Sequence, residues 1–174
     1  MYHTQQSEIV IDGTPEEIWE FSSNPENWTA SNPTEHWGLT YDSPDNRPGE
    51  GVEFHQDEAV AGIRNDLYGR FQYLDVPNVA VWTGSAYYPL LGGLLTIRIP
   101  EGGTIRLEET EDGRTRMSHA IFMDFPNSRF GRWFKWVFVH VIDGPEKLAQ
   151  HNRVELEYFK EHVESPQARD RVPA

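Results

Sequence analysis

The stretch Glu8 to Trp28, EIVIDGTPEEIWEFSSNPENW, specifies one strand followed at once by two short helices, and few folds begin that way. Ile9, Val10 and Ile11 are β-branched and stiff at χ1, which suits a pleated surface. Thr14 then stands where a helix cap is needed. Pro15 follows at the first helical position, where its missing N–H costs nothing, and Glu17 completes a capping box. Ile18, Trp19 and Phe21 give this helix an apolar face. Asn24, Pro25 and Asn27 repeat the device, so a second short helix or turn ends near Trp28.

A chain of 174 residues makes one domain, assigned to residues 1–164, with 165–174 (SPQARDRVPA) as a frayed tail that has no apolar pattern. A domain of that size buries roughly 70% of its unfolded surface. Acidic side chains outnumber basic ones 28 to 15, a net charge of -13, which argues against a phosphate-binding surface, and no nucleic-acid partner is expected. The absence of cysteine excludes disulfides, thiolate metal sites and thiol nucleophiles. MYHTQQSE lacks a basic region and an apolar core, so no signal peptide is read and a cytoplasmic location is expected. Trp133 to Ile142 is the most apolar helical segment, but it is short and contains Lys135 and His140. It belongs in a core, and no membrane contact is expected.

Between Pro33 and Pro126 short strand signals alternate with Gly, Pro and Asp. The strands are read as Trp37 to Tyr41, Val52 to Glu58, Ile63 to Asp75, Val79 to Tyr87, Thr104 to Thr110 and Arg114 to Phe125. Asp112-Gly113 marks the clearest hairpin. Tyr87 to Pro100, YYPLLGGLLTIRIP, is either a second hairpin turned at Gly92-Gly93 or an apolar loop at the rim of a cavity. After Pro126, Phe130, Trp133, Phe134, Val137, Phe138 and Val141 recur at helical spacing. Gly144-Pro145 kinks or restarts this helix, and Leu148, Leu156, Phe159 and Val163 resume the stripe.

This order of elements resembles the START/Bet v 1-like (SRPBCC) superfamily, in particular its polyketide cyclase/dehydrase branch. The likeness is carried by SEIVIDGTPEEIWEFSSNPENW, GEGVEF, the GGTIRLEETEDGRTRMSHAIFMDFP hairpin and the closing amphipathic helix. It implies an α+β helix-grip fold, in which a curved antiparallel sheet of about seven strands wraps a long C-terminal helix and encloses a hydrophobic cavity. Lipids, sterols, polyketides or other hydrophobic molecules would be the ligands, and catalysis would occur in only some members.

No conventional catalytic motif is present. The histidines at 3, 36, 55, 119, 140, 151 and 162 show no HxH or HExxH spacing, so neither a metal nor another cofactor is expected. Strand alternation selects the inward faces. Met117, Ile121 and Met123 bring His119 inward; Ile105 and Leu107 bring Glu109; Leu67 and Phe71 bring Tyr73; Val52 and Phe54 bring Gln56. Polar groups on apolar faces cost roughly 1 to 3 kcal/mol each when unpartnered, which makes these the candidates. Trp82 faces either way. Trp133, Phe134 and Val137 would line the cavity from the helix.

The expected partner is therefore a hydrophobic, aromatic or polycyclic small molecule, with the chain a monomer or homodimer. If the ligand is cyclised or dehydrated, His119 is the acid or base and Tyr73 polarises a carbonyl. The competing reading is a non-catalytic carrier or sensor of a lipid-like ligand, and a third is a protein-binding module with an exposed apolar patch.

Overall fold

The computed structural model describes residues 1–165, so all but the first residue of the expected tail lies outside the described residues. After β1 (Tyr2–Ile11), Thr14 Oγ1 accepts from the Glu17 N–H at 3.2 Å and the Glu17 carboxylate accepts from the Thr14 N–H at 2.9 Å, starting α1 (Pro15–Ser22). The Asn24 side chain caps α2 (Pro25–Ser31) in the same way, through the Glu26 N–H. Two capped turns carry the chain from one edge of the sheet to the other, where β2 (His36–Tyr41) begins.

From there β2, β3 (Glu53–Val60), β4 (Ile63–Asp75), β5 (Val79–Leu90), β6 (Leu95–Glu109) and β7 (Thr115–Asp124) form an antiparallel meander, and β1 closes it by pairing with β7. The spatial order is β1-β7-β6-β5-β4-β3-β2. With α3 (Arg129–His140) and α4 (Gly144–Val163) the fold is α+β, a seven-stranded sheet closed by a long C-terminal helix. Tyr87 to Pro100 resolves as a hairpin rather than a loop: Gly92 and Gly93 turn it at φ 67° and 89°, values that favour glycine.

The helix restarts at Gly144-Pro145 as expected, and the C-terminal region is two helices, since Asp143 takes a left-handed conformation (φ 55°) just before that pair. The stripe on α3 is narrower than its spacing suggests. Phe134 and Phe138 are buried, whereas Phe130, Trp133 and Val141 are exposed. One core cluster centres on Phe54, Phe71, Trp82, Phe125 and Phe138. A second joins Ile11, Ile18, Leu107 and Met117 to Leu156 and Phe159 of α4.

Gly84 on β5 lies opposite Gly69 on β4. A Cβ at Gly84 would sit 2.4 Å from the Tyr68 carbonyl oxygen and 2.8 Å from Gly69 Cα, backbone atoms that cannot rotate away. Gly84→Ala should therefore destabilise the protein by about 1–3 kcal/mol in urea unfolding. Gly38→Ala, whose Cβ meets nothing within 4 Å, should not. Equal midpoints for the two variants would contradict this reading.

Candidate functional site

A cavity lies between the sheet and α4, and its walls divide by chemistry. Tyr41, Phe54, Phe71 and Trp82 form an aromatic group, with the Phe54 ring 5.4 Å from Phe71 and 5.6 Å from Trp82. Leu39, Leu67, Ile105, Ile121, Met123 and Leu148 extend the apolar wall. The remaining walls carry Gln56, Glu58, Glu101, His119, His151 and Glu155. The volume is about 60 Å³, below the ~150 Å³ of an apolar cavity that takes benzene.

The sequence-derived residues divide in two. His119, Phe54, Gln56, Leu67, Phe71, Trp82, Ile121 and Met123 line the cavity, and Trp82 faces inward. Tyr73, Leu107, Glu109, Trp133, Phe134 and Val137 do not. Tyr73 is 52% exposed because a bulge between Phe71 and Tyr73 adds a residue to β4 and reverses the alternation beyond it. Glu109 ends β6 beside the hairpin turn, opposite Thr115, and is exposed. Leu107 packs in the second core cluster. Trp133 is exposed, Val137 is half-buried, and Phe134 fills core against Tyr88 and Phe125. The helical wall is α4 instead, through Leu148, His151 and Glu155. Among the described residues, none of the Tyr87–Leu90 strand end lines the cavity, which does not support the mouth expected there.

The polar residues form one connected, buried network. Glu155 Oε2 is 3.1 Å from His119 Nδ1, and Glu155 Oε1 is 3.2 Å from His36 Nε2 and 3.1 Å from His151 Nε2. His151 Nδ1 donates to Glu35 at 2.8 Å, and His36 Nδ1 donates to the Trp28 carbonyl at 3.1 Å. Gln56 Nε2 donates to Glu58 at 2.8 Å, and the Tyr88 hydroxyl donates to Glu101 at 2.8 Å. Burial works against a charged His151, but Glu155 and Glu35 outweigh it and hold its pKa well above the ordinary histidine value. Burial likewise opposes ionisation of Glu155, yet His151, His119 and His36 hold it well below the usual carboxylate range. Glu58 is pushed up by burial, which His151 and His36 only partly offset.

Alternation reached Gln56 but stopped short of Glu58, two residues on along the same face. Glu101 shares its parity with Ile97 and Ile99, visible only once β6 is extended back to Leu95. On α4 the signal was a gap: His151 and Glu155 interrupt the stripe of Leu148, Leu156 and Phe159.

Burial, with the nearby Glu58 second, pushes Glu101 up to about 8 from 4.5. The folded state therefore holds a proton that the unfolded chain has released, and stability falls as pH rises between those values. This contribution is complete below pH 4.5 and lost through pH 8. Glu101→Gln keeps an acceptor for Tyr88 and removes the titration. Relative to wild type, the variant should gain about 1 kcal/mol or more between pH 5 and pH 8.5 in urea unfolding. A constant difference across that range would show that Glu101 does not titrate in this way.

No protein-family model and no curated protein sequence matches the chain. Solved structures do match over nearly its whole length. The solution structure of the KanY protein aligns with TM-score 0.61 at 12% identity, covering 95% of this chain and 99% of that one. The crystal structure of Ara h 8.0201 aligns with TM-score 0.57 at 11% identity, covering 94% and 98%. Protein MLL2253 from Mesorhizobium loti aligns with TM-score 0.56 at 15% identity, covering 99% and 100%. At such identities the likeness is one of fold.

Proposed function

We propose that this chain, with the helix-grip fold of the START/Bet v 1-like (SRPBCC) superfamily, binds a small hydrophobic molecule in the cavity between its sheet and α4. The observation that carries this reading is the division of one space into aromatic and polar walls. Such a space suits a molecule with an apolar body and one polar group. The cavity is smaller than one that takes benzene, so a single-ring aromatic is the largest body it would accept, and only as its walls relax. A polycyclic ligand would require the sheet and α4 to move apart.

The same site has the parts for a proton transfer of the cyclase or dehydrase kind. His119 Nδ1 is held by Glu155, which leaves Nε2 without a hydrogen-bond partner among the described residues, on a side chain that lines the cavity. Trp28 also lines the cavity, its ring edge-on to His119 at 5.8 Å, and its indole N–H is buried without an acceptor among the described residues. With Tyr73 on the outside, Trp28 takes over the role of polarising a carbonyl. In a dehydration, His119 Nε2 removes the proton from the carbon next to that carbonyl and returns it to the departing hydroxyl. One C–H and one C–O bond break, a C=C bond forms, and water leaves. A carrier role is the second reading, favoured because the buried acids and bases are already paired with one another.

Native mass spectrometry of the purified protein should find a bound compound. Ile121→Trp, which fills the half-buried cavity wall, should abolish its retention without unfolding the chain. Absence of any bound compound, together with equal uptake of a hydrophobic fluorescent probe by Ile121→Trp and wild type, would remove the cavity as the site. For the compound so identified, His119→Gln should lower turnover about 10²-fold or more while binding persists. Turnover at the wild-type rate would overturn the proton-transfer role, and a wild type with no turnover would leave the carrier reading in place.

A further inference from the structure

Three side chains far apart in sequence, none in a metal-binding spacing, converge at the polar wall. His36 opens β2, Glu58 lies on β3 and His151 lies on α4, all three buried, with one potential ligand atom of each within 4.8 Å of the others. The imidazoles are oriented as metal ligands are. His36 Nδ1 is engaged by the Trp28 carbonyl and His151 Nδ1 by Glu35 Oε2, so each ring keeps a proton on Nδ1, and an ion that displaced the Nε2 protons now turned to Glu155 would meet two Nε2 lone pairs. A partner on the far nitrogen, fixing ring and tautomer, is the usual outer shell of a metal-bound histidine.

The two Nε2 atoms are 3.2 Å apart. At that separation two N–H groups cannot point at each other; both turn to Glu155 Oε1, and a common cation in their place would satisfy the same two nitrogens. Ligands at about 2.0–2.1 Å from a tetrahedral ion stand about 3.3 Å from one another, close to the observed spacing. Glu58 Oε2 lies 3.8 Å from His36 Nε2 and 4.0 Å from His151 Nε2, and Gln56 holds that oxygen at 2.8 Å. Closing the triad requires Glu58 to approach by about half an ångström. Glu155 Oε1, 3.2 and 3.1 Å from the same nitrogens, is a further carboxylate oxygen within reach of an ion held there.

We propose that His36, His151 and Glu58 bind one divalent transition-metal ion, of the zinc or ferrous class, beside the hydrophobic cavity, with Glu35 as a positioning residue. Two imidazoles with a carboxylate select such ions over calcium or magnesium, which prefer oxygen. The site goes beyond hydrophobic ligand binding, because an ion held there would stand at the polar wall of the same cavity and could coordinate a ligand's polar group or a water molecule.

The test uses the purified full chain stripped of metal, with Zn²⁺ added in calorimetry, Co²⁺ added in absorption spectroscopy, and no hydrophobic ligand present. Wild type should take one Zn²⁺ per chain, gain thermal stability with it, and give a Co²⁺ spectrum of four- or five-coordinate geometry with imidazole ligation. Glu58→Gln should abolish stoichiometric binding. Glu35→Gln, at a half-buried position, should fold normally, weaken Zn²⁺ binding about 10–100-fold and alter the Co²⁺ spectrum. Failure of wild type to bind a stoichiometric ion would overturn the proposal. So would unchanged affinity in both variants, which would place the ion elsewhere, for example at the exposed His55 and Asp66 pair. Should Glu58→Gln fail to fold, the wild-type stoichiometry and the Glu35→Gln result decide. None of these outcomes bears on hydrophobic binding, which is measured without metal.

Discussion

The carboxylate of Glu155 is the interaction around which the interior is arranged. It is 1% exposed, and histidines from β2, β7 and α4 surround it within 3.1–3.2 Å. In the sheet order β7 and β2 are five strand steps apart. On a flat sheet that is about 24 Å at roughly 4.8 Å per strand. That His119 and His36 reach one carboxylate therefore requires the sheet to curl around α4. Removing one partner from such a buried cluster typically costs about 3–5 kcal/mol, because a charge is left without its counterpart. The network thus fixes the curvature of the sheet and the position of the helix together, and the cavity is the space left between them.

The same arrangement explains why α4 lines the cavity and α3 does not. Leu148, His151 and Glu155 occupy one face of α4 at helical spacing, so the apolar cavity wall passes directly into the ionic cluster. Phe134 and Phe138 of α3 instead pack with Phe125, the ring centroids 6.1 and 5.3 Å apart, and fill solid core. The polar groups are buried where any ligand in the cavity must meet them.

Much of the fold is legible in the sequence, because it depends on local signals. Thr14, Pro15 and Glu17 start a helix whatever follows them, and Asp112-Gly113 turns a hairpin by backbone preference alone. Strand parity places His119, Gln56 and Phe71 correctly wherever the ladder is regular. It fails at Tyr73, where a bulge inserts a residue that composition does not mark, and at Glu109, where the strand ends. The ionic cluster is hidden for a different reason. His36, Glu58 and His151 come from two strands and a helix, and only the curl of the sheet brings them together. A pattern of period two or 3.6 carries no information about that long-range pairing.

The central claim is that the space between sheet and α4 admits a small hydrophobic molecule, and the methionine methyl groups report on it directly. Met123 lines the cavity, whereas Met117, on the same strand face six residues earlier, is packed in the second core cluster and does not. In methyl NMR of the protein titrated with phenol, the Met123 resonance should shift progressively and saturate while Met117 stays in place. If Met123 fails to move, or if both methyl groups shift together without saturating, the cavity is closed to ligands and the account is contradicted.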